Sequence, residues 1–207
     1  MKDFWNERYS GEDFFYGTEP NAFLASLSHL IHPGQSVLAV ADGEGRNGVW
    51  LARQGLEVTA VDFSPVAAEK ASKLAAQSGV QVHHEISDLF DWNWGENRFD
   101  AIVAIFIQFA APAERRKLNE LMRRALKPGG ILILQGYRPK QLEYKTGGPS
   151  SLENLYTAET LREEFSAMEI LHLREHDEEI CEGAGHCGMS ALVDMVARKR
   201  LREQINL

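Results

Sequence analysis

The chain has 207 residues, 44% of them hydrophobic and 25% charged, with a formal net charge of −8. These are the values of an ordinary globular domain, not of a disordered or fibrous chain, and the acidity excludes a broad nucleic-acid surface, which needs clustered Lys and Arg to displace counterions from phosphates. No apolar run approaches the roughly 20 residues of a bilayer span, and Met1 to Ser10 carries Asp3, Asn6, Glu7 and Arg8 where a secretory leader would be apolar, so a protein of the cytoplasm without a membrane partner is expected.

The chain opens on crowded aromatic residues, Trp5, Tyr9, Phe14, Phe15 and Tyr16, expected either to order as a flap over a ligand or to pack on a core or partner. Pro20 begins a helix-like stretch with Phe23, Leu24, Leu27, Leu30 and Ile31 at helical spacing, closed by Pro33-Gly34. Ser36 to Ala41 is apolar and too short for a helix, hence a buried strand; a glycine turn, a helix over Asn47 to Gln54 with Gly55 as its cap, and a second buried strand, Glu57 to Val61, complete a βαβ unit. Ser64-Pro65 starts the next helix, with a side-chain acceptor at the N-cap and proline at the first helical position, and it runs to Ser78-Gly79.

Val80 to Ile86 is expected as the third strand and Phe99 to Ile105 as the fourth. Beyond Pro112 a helix holds Leu118, Leu121, Met122, Ala125 and Leu126, and Pro128-Gly129-Gly130 turns into a fifth strand, Ile131 to Gln135. After a loop at Gly147-Gly148-Pro149-Ser150 and a helix near Thr157 to Phe165, Met168 to His176 and Met189 to Arg198 read as an antiparallel pair at the sheet edge. Cys181 and Cys187 are expected to remain thiols, and their spacing around His186 matches no zinc pattern. The basic clusters Arg115-Arg116-Lys117 and Arg198-Lys199-Arg200 with Arg202 read as a solvated helix face and a chain end.

The chemistry concentrates where the first strand ends, in Ala41-Asp42-Gly43-Glu44-Gly45-Arg46-Asn47. Glycine there either makes a tight turn or lets a ligand approach the backbone beside a helix N-terminus. Asp62, at the end of the second strand, can accept hydrogen bonds from ribose hydroxyls or serve as the acid before Ser64-Pro65. Asp88, in Ser87-Asp88-Leu89, is either within reach of an adenine amino group or in a surface turn, and Ala104, Ile105 and Phe106 offer an apolar wall or plain core.

These motifs resemble class I S-adenosylmethionine-dependent methyltransferases, in particular the small tellurite-resistance-like and thiopurine-methyltransferase-like branch. The resemblance rests on Trp5-Asn6-Glu7-Arg8-Tyr9, Tyr16-Gly17, Pro20-Asn21, Gly43-Glu44-Gly45-Arg46-Asn47, Val58-Thr59-Ala60-Val61-Asp62 and Leu126-Lys127-Pro128-Gly129-Gly130. It implies an α/β, Rossmann-like three-layer sandwich with a mostly parallel seven-stranded sheet and an antiparallel C-terminal strand. A single domain is expected: residues 1–33 as N-terminal flap and helix, 34–136 as cofactor-binding core, 137–207 as substrate-side loop, helix and terminal β pair.

S-adenosyl-L-methionine is the implied cofactor. Gly43 and Gly45 would face its methionine part, Asp62 the ribose, and Asp88 and Leu89 the adenine, while Trp5, Arg8 and Tyr16 lie over it; Ala41, Phe63, Ser87 and Ile105 complete the expected cofactor-binding residues. The family usually begins this motif with an acid and then glycine, where this chain has Ala39 and Ala41; Asp42 or Glu44 is expected to supply the missing charge for the methionine ammonium. In-line methyl transfer requires alignment and desolvation but no obligatory nucleophile, and the acceptor-side candidates are Tyr16, Gln108, Tyr137 and His186, the last as a general base or a structural histidine. The expected activity is methyl transfer to a thiol, a chalcogen oxyanion or a small metabolite by a monomer or homodimer. The rivals are a non-catalytic S-adenosylmethionine-binding module and a nicotinamide-dependent oxidoreductase.

Overall fold

A computed structural model describes residues 2–201; Arg202 lies outside the described residues. Seven strands form one sheet, β1 (Ser36–Val40), β2 (Glu57–Asp62), β3 (His83–Ile86), β4 (Phe99–Ile105), β5 (Leu126–Tyr137), β6 (Met168–Cys181) and β7 (Cys187–Lys199). Their spatial order is β3-β2-β1-β4-β5-β7-β6. All neighbours from β3 to β5 pair in parallel, and β7 runs antiparallel to both β5 and β6.

Alternation along the strands builds the core on both sheet faces. Leu38 and Val40 of β1 join Ile102, Ala104, Leu132 and Leu134 on one face, where α5 (Pro112–Ala125) contributes Leu118 and Met122 and α7 (Ala158–Glu164) contributes Leu161. Val37 and Ala39 point the other way, with Val58, Ala60, Val103 and Ile133, under Leu24 of α2 (Ala22–Ser26) and Leu51 of α3 (Arg46–Arg53). α4 (Pro65–Gln77) covers that face further out, with Leu74 and Ala75 against Val49. Full burial of such aliphatic side chains contributes about 1.5–3 kcal/mol each.

Local signals produce their expected structures. The Ser64 hydroxyl accepts from Ala67 N–H at 3.2 Å at the start of α4, and the Asn21 side chain accepts from Leu24 N–H at 3.0 Å at the start of α2. The helix expected from Pro20 divides into α2 and a 3-10 turn over Ser28–Leu30, and the aromatic opening contains a helix, α1 (Lys2–Arg8). The loop after β5 contains a short helix, α6 (Gln141–Tyr144).

Two corrections concern the C-terminal pair. β6 and β7 are longer than expected and stay paired to Cys181↔Cys187, whereas β5 pairs with β7 only as far as Tyr137↔Leu192. The end of the hairpin therefore extends past the strand that supports it. Its register sets Cys181 opposite Cys187 with Cα atoms 4.0 Å apart, and the two form a disulfide in place of the expected thiols. The physical reason is proximity imposed by strand pairing, which residue counting along the chain does not reveal.

Candidate functional site

The carboxyl ends of β1, β2 and β4 meet where strand order reverses, the position at which open α/β sheets bind ligands. A cavity open to solvent lies there. Its floor is the bend after β1, from Ala41 to Asn47, with Asp62 and Phe63 from the next strand and Ile105, Phe106 and Phe109 after β4. Ala41 (φ 48°), Gly43 (φ 57°), Gly45 (φ 89°) and Phe106 (φ 55°) all have left-handed backbone, so two non-glycine residues at this site are held in a sparsely populated conformation.

Asp62 fixes the bend. Gly43 N–H donates to its Oδ2 and Ser64 N–H to its Oδ1, both at 2.9 Å. Burial raises its pKa, opposed by N–H donors of Ser64, Gly43 and Phe63. A carboxylate has about four acceptor positions, so these bonds leave it acceptor capacity toward the cavity. Asp42 accepts from Gly48 N–H at 3.1 Å, and burial, with the Asp62 charge adding to it, pushes its pKa up to about 7. Glu44 faces the chain opening instead: Lys70 Nζ lies 2.5 Å from its Oε1, and Tyr16 N–H donates to its Oε2 at 3.3 Å.

Residues 5–17 form the cover. Trp5 stacks on Tyr9 with ring centres 5.5 Å apart, and the Arg8 guanidinium lies over the rings of Phe4, Trp5 and Phe15. A Cβ added at Gly43 would sit 3.0 Å from the Tyr9 hydroxyl, which places that hydroxyl directly against the bend. Lys70 of α4 holds the segment down by donating to the carbonyls of Tyr9, Gly11 and Asp13 as well as pairing with Glu44.

The overhanging hairpin completes the enclosure. Gly183 and Gly185 leave no room for a Cβ against Tyr16, Gly17 and Phe15, so glycine is what permits the hairpin end and the cover to touch. Glu182 pairs with Arg46 Nη2 at 2.7 Å and accepts from the Asn21 side chain at 3.0 Å. His186 is buried among the rings of Tyr16 (4.5 Å), Phe106 (4.4 Å) and Tyr137 (5.6 Å). Burial, with the Arg46 and Arg8 charges adding to it, lowers its pKa to about 3, so the imidazole is neutral across the physiological range. Among the described residues of this lining, Glu44 Oε1, Arg46 Nη1 and His186 Nδ1 are buried without a hydrogen-bond partner, and of these Glu44 Oε1 has the Lys70 ammonium beside it; the other two orphans call for a ligand or water to complete them.

Of the expected site residues, Trp5, Tyr16, Ala41, Gly43, Asp62, Phe63, Ile105 and His186 line this cavity. Gly45 lies beneath it: a Cβ there would come within 2.6 Å of Ala71 Cβ, so this glycine allows α4 to approach the bend. Arg8 sits in the cover, its Nη1 3.4 Å from the Tyr16 hydroxyl. Ser87, Asp88 and Leu89 are not among the lining residues: Ser87 N–H donates to Asp62 O at 3.0 Å beside β2, Asp88 follows it and is exposed, and Leu89 is core. Gln108 engages backbone groups of Tyr137 and Asn154 through its amide. Tyr137 is fully buried behind His186 and Phe106, its pKa raised by burial. Sequence reasoning assigned no individual role to Arg46, Asn47 or Phe109, which line the cavity; the Arg-Asn after the second glycine was a readable signal for two of them.

Residues 37–130 match the family model described as a methyltransferase domain. An uncharacterized methyltransferase of Synechocystis sp. is 34% identical over 120 residues, 57% of this chain and 55% of that protein. A thiopurine S-methyltransferase of Nitrosospira multiformis is 32% identical over 93 residues, 44% of this chain and 41% of that protein. The matched stretches thus span about half the length of these relatives. A structure described under the conversion of a disulfide bond into a thioacetal group during echinomycin biosynthesis superposes with a TM-score of 0.81 at 19% identity, covering 99% of this chain and 94% of the other.

Proposed function

We propose that this chain, a class I S-adenosylmethionine-dependent methyltransferase, encloses its cofactor between the bend after β1 and the aromatic cover and passes the methyl group to a small acceptor held under the hairpin end. The observation that carries this reading is the single cavity bounded by the Gly43 bend, the Asp62 carboxylate and the Trp5, Tyr9 and Tyr16 rings, with Arg46 Nη1 and His186 Nδ1 left unpaired on its wall. When bound, the cofactor supplies a sulfonium methyl carbon open to in-line displacement.

In this reading Asp62 accepts from the ribose hydroxyls while keeping its grip on Gly43 and Ser64. Ser87, Asp88 and Leu89 border the adenine, Ile105 and Phe63 pack against the nucleoside, and Trp5, Arg8 and Tyr16 close over it. Asp42, whose partly buried carboxyl is enclosed by the bend, is the group suited to the methionine ammonium, since Glu44 is already paired with Lys70. Exclusion of water by the cover strengthens each of these contacts.

On the acceptor side Tyr16 and His186 touch the space where the acceptor would lie, and Tyr137 and Gln108 support them from behind. His186 is suited to accept or donate one hydrogen bond as a neutral ring; holding a proton at neutral pH is opposed by its burial. The division into 1–33 as cover, 34–136 as cofactor half and 137–207 as acceptor half of one domain belongs to the same proposal. So does placement in the cytoplasm, to be checked by cell fractionation.

A thiol or chalcogen oxyanion acceptor, as in the tellurite-resistance-like and thiopurine-methyltransferase-like branch, is supported by the likeness to a thiopurine S-methyltransferase. A nicotinamide-dependent oxidoreductase is not favoured, because the domain match is to methyltransferases. Calorimetry with S-adenosylmethionine and S-adenosylhomocysteine, followed by S-adenosylhomocysteine release over a panel of thiols, selenite, tellurite and amines, tests the reading. Binding plus turnover of any acceptor is expected; no binding of either nucleoside sinks it, and binding without turnover on any acceptor points to a non-catalytic module.

A further inference from the structure

We infer that Arg46, poised by Glu182, is the anion-recognition residue of this cavity, and that Arg46 and His186 together bind one anionic oxygen, a carboxylate or an oxyanion. The inference rests on the methyltransferase reading and adds a ligand chemistry to it. Arg46 is 7% exposed and His186 is 6% exposed; both residues line the cavity, and each has a buried nitrogen without a partner. A guanidinium has five N–H donors in a planar fork. Glu182 takes the Nη2 side at 2.7 Å, which locks the plane of the fork and leaves Nη1 facing a space with no protein acceptor.

Leaving a buried charged donor unmet costs more than a neutral one, so the geometry suits a ligand that brings its own negative oxygen. The surrounding charges agree. Asp42 and Asp62 gather at the cofactor side of the bend, and Arg46 and Arg8 at the side of Tyr16 and His186, where both arginine charges disfavour protonation of the imidazole. Glu182 already balances the Arg46 charge on the Nη2 side, but an acceptor without an oxygen to offer would leave Nη1 unmet, whereas an anionic oxygen would meet it. Glu182 itself is held by Asn21 and by Ala22 N–H at 3.2 Å, so it acts as the positioning residue for Arg46 and has no part in contacting the ligand.

The anionic oxygen could come from the carboxylate of the cofactor's amino-acid end or from the acceptor, and one set of titrations separates them. Affinity is measured by calorimetry for S-adenosylhomocysteine, for its decarboxylated analogue, and for selenite and thioglycolate added to the S-adenosylhomocysteine complex. The proteins are wild type and the neutral pair R46Q/E182Q, which removes the charge at Arg46 without stranding Glu182, with R46K as a second variant that retains a cation. A charged hydrogen bond of about 1.5–3 kcal/mol corresponds to roughly a 10- to 150-fold effect.

If the cofactor carboxylate is the ligand, wild type prefers S-adenosylhomocysteine to the decarboxylated analogue by that factor and R46Q/E182Q loses the preference. If the acceptor is the ligand, S-adenosylhomocysteine affinity is unchanged in the variant and selenite or thioglycolate binding falls by that factor, with partial recovery in R46K. Equal affinities for all four compounds in wild type and R46Q/E182Q, both folded by thermal melt, overturn the inference and leave the methyltransferase reading standing. Failure of wild type to bind S-adenosylhomocysteine overturns both.

Discussion

Ala41 and Gly45, four residues apart, show how differently one bend can use two left-handed positions. Ala41 (φ 48°) carries a strain of about 1 kcal/mol for an L-residue, close to what glycine loses in extra unfolded-chain freedom. Ala41→Gly is therefore expected to shift unfolding free energy by no more than about 0.5 kcal/mol, because these two terms offset. Gly45→Ala adds a methyl 2.6 Å from Ala71 Cβ at φ 89° and is expected to cost about 2–4 kcal/mol in urea melts. Charge at this scale gives a pH signature. The folded state holds the Asp42 proton up to about pH 7, against an ordinary 3.8, so it binds more protons than the unfolded chain between those values, and the Asp42 contribution to stability falls as pH rises through them. Asp42→Asn, which retains a carbonyl for Gly48 N–H, is expected to raise the melting temperature more at pH 8 than at pH 5. His186 runs the opposite way. Its pKa is depressed from 6.5 to about 3, so its contribution is complete above the higher value and is lost as pH falls toward the lower one. The pH profile of kcat/KM is accordingly expected to lack any inflection near 6.5 that His186→Gln abolishes, and finding one would restore the histidine as a proton carrier.

At the scale of elements, the β6–β7 hairpin decides which side chains close the cavity on the side proposed for the acceptor. Its pairing to Cys181↔Cys187 goes beyond the last β5 contact at Tyr137↔Leu192, and that overhang carries Glu182 and His186 across the sheet edge. The disulfide closes a loop with a sequence separation of 6, for which chain-entropy arguments give at most about 2 kcal/mol. Pairing of the flanking strands already confines that loop, so the expected loss in the Cys181→Ser/Cys187→Ser pair is smaller still. A melting shift of only a few degrees, with a clearer loss of S-adenosylhomocysteine affinity as Glu182 and His186 gain freedom, is the predicted outcome by thermal melt and calorimetry. Unchanged affinity would mean that the strand register alone holds the hairpin end.

Across the whole molecule, a half-buried cation of α4, Lys70, ties the cover to the bend after β1. Lys70 pairs with Glu44 and donates to three carbonyls between Tyr9 and Asp13, and removing one member of a buried pair typically costs 3–5 kcal/mol. Lys70→Met is expected to expose residues 1–20 to protease, with S-adenosylhomocysteine restoring only part of the protection; the Lys70→Met/Glu44→Gln pair separates loss of the tether from the stranded carboxylate. How much of this was readable in advance follows from the range of each interaction. The succession of strands and helices up to β5, the Ser64 cap, the bend at Gly43 and the Asp62 position depend on neighbours along the chain, and the residues announce them through periodicity, glycine placement and capping chemistry. The same reading expected free thiols at Cys181 and Cys187 and gave acceptor-side roles to Gln108 and Tyr137, which lie behind the cavity wall. Nor could it see that Arg46 and His186 would line one cavity, each with one buried nitrogen unpartnered. Those outcomes depend on how far a hairpin overhangs its sheet and on which side chains from distant segments exclude water together, and both are fixed by three-dimensional packing, to which local sequence pattern contributes no signal.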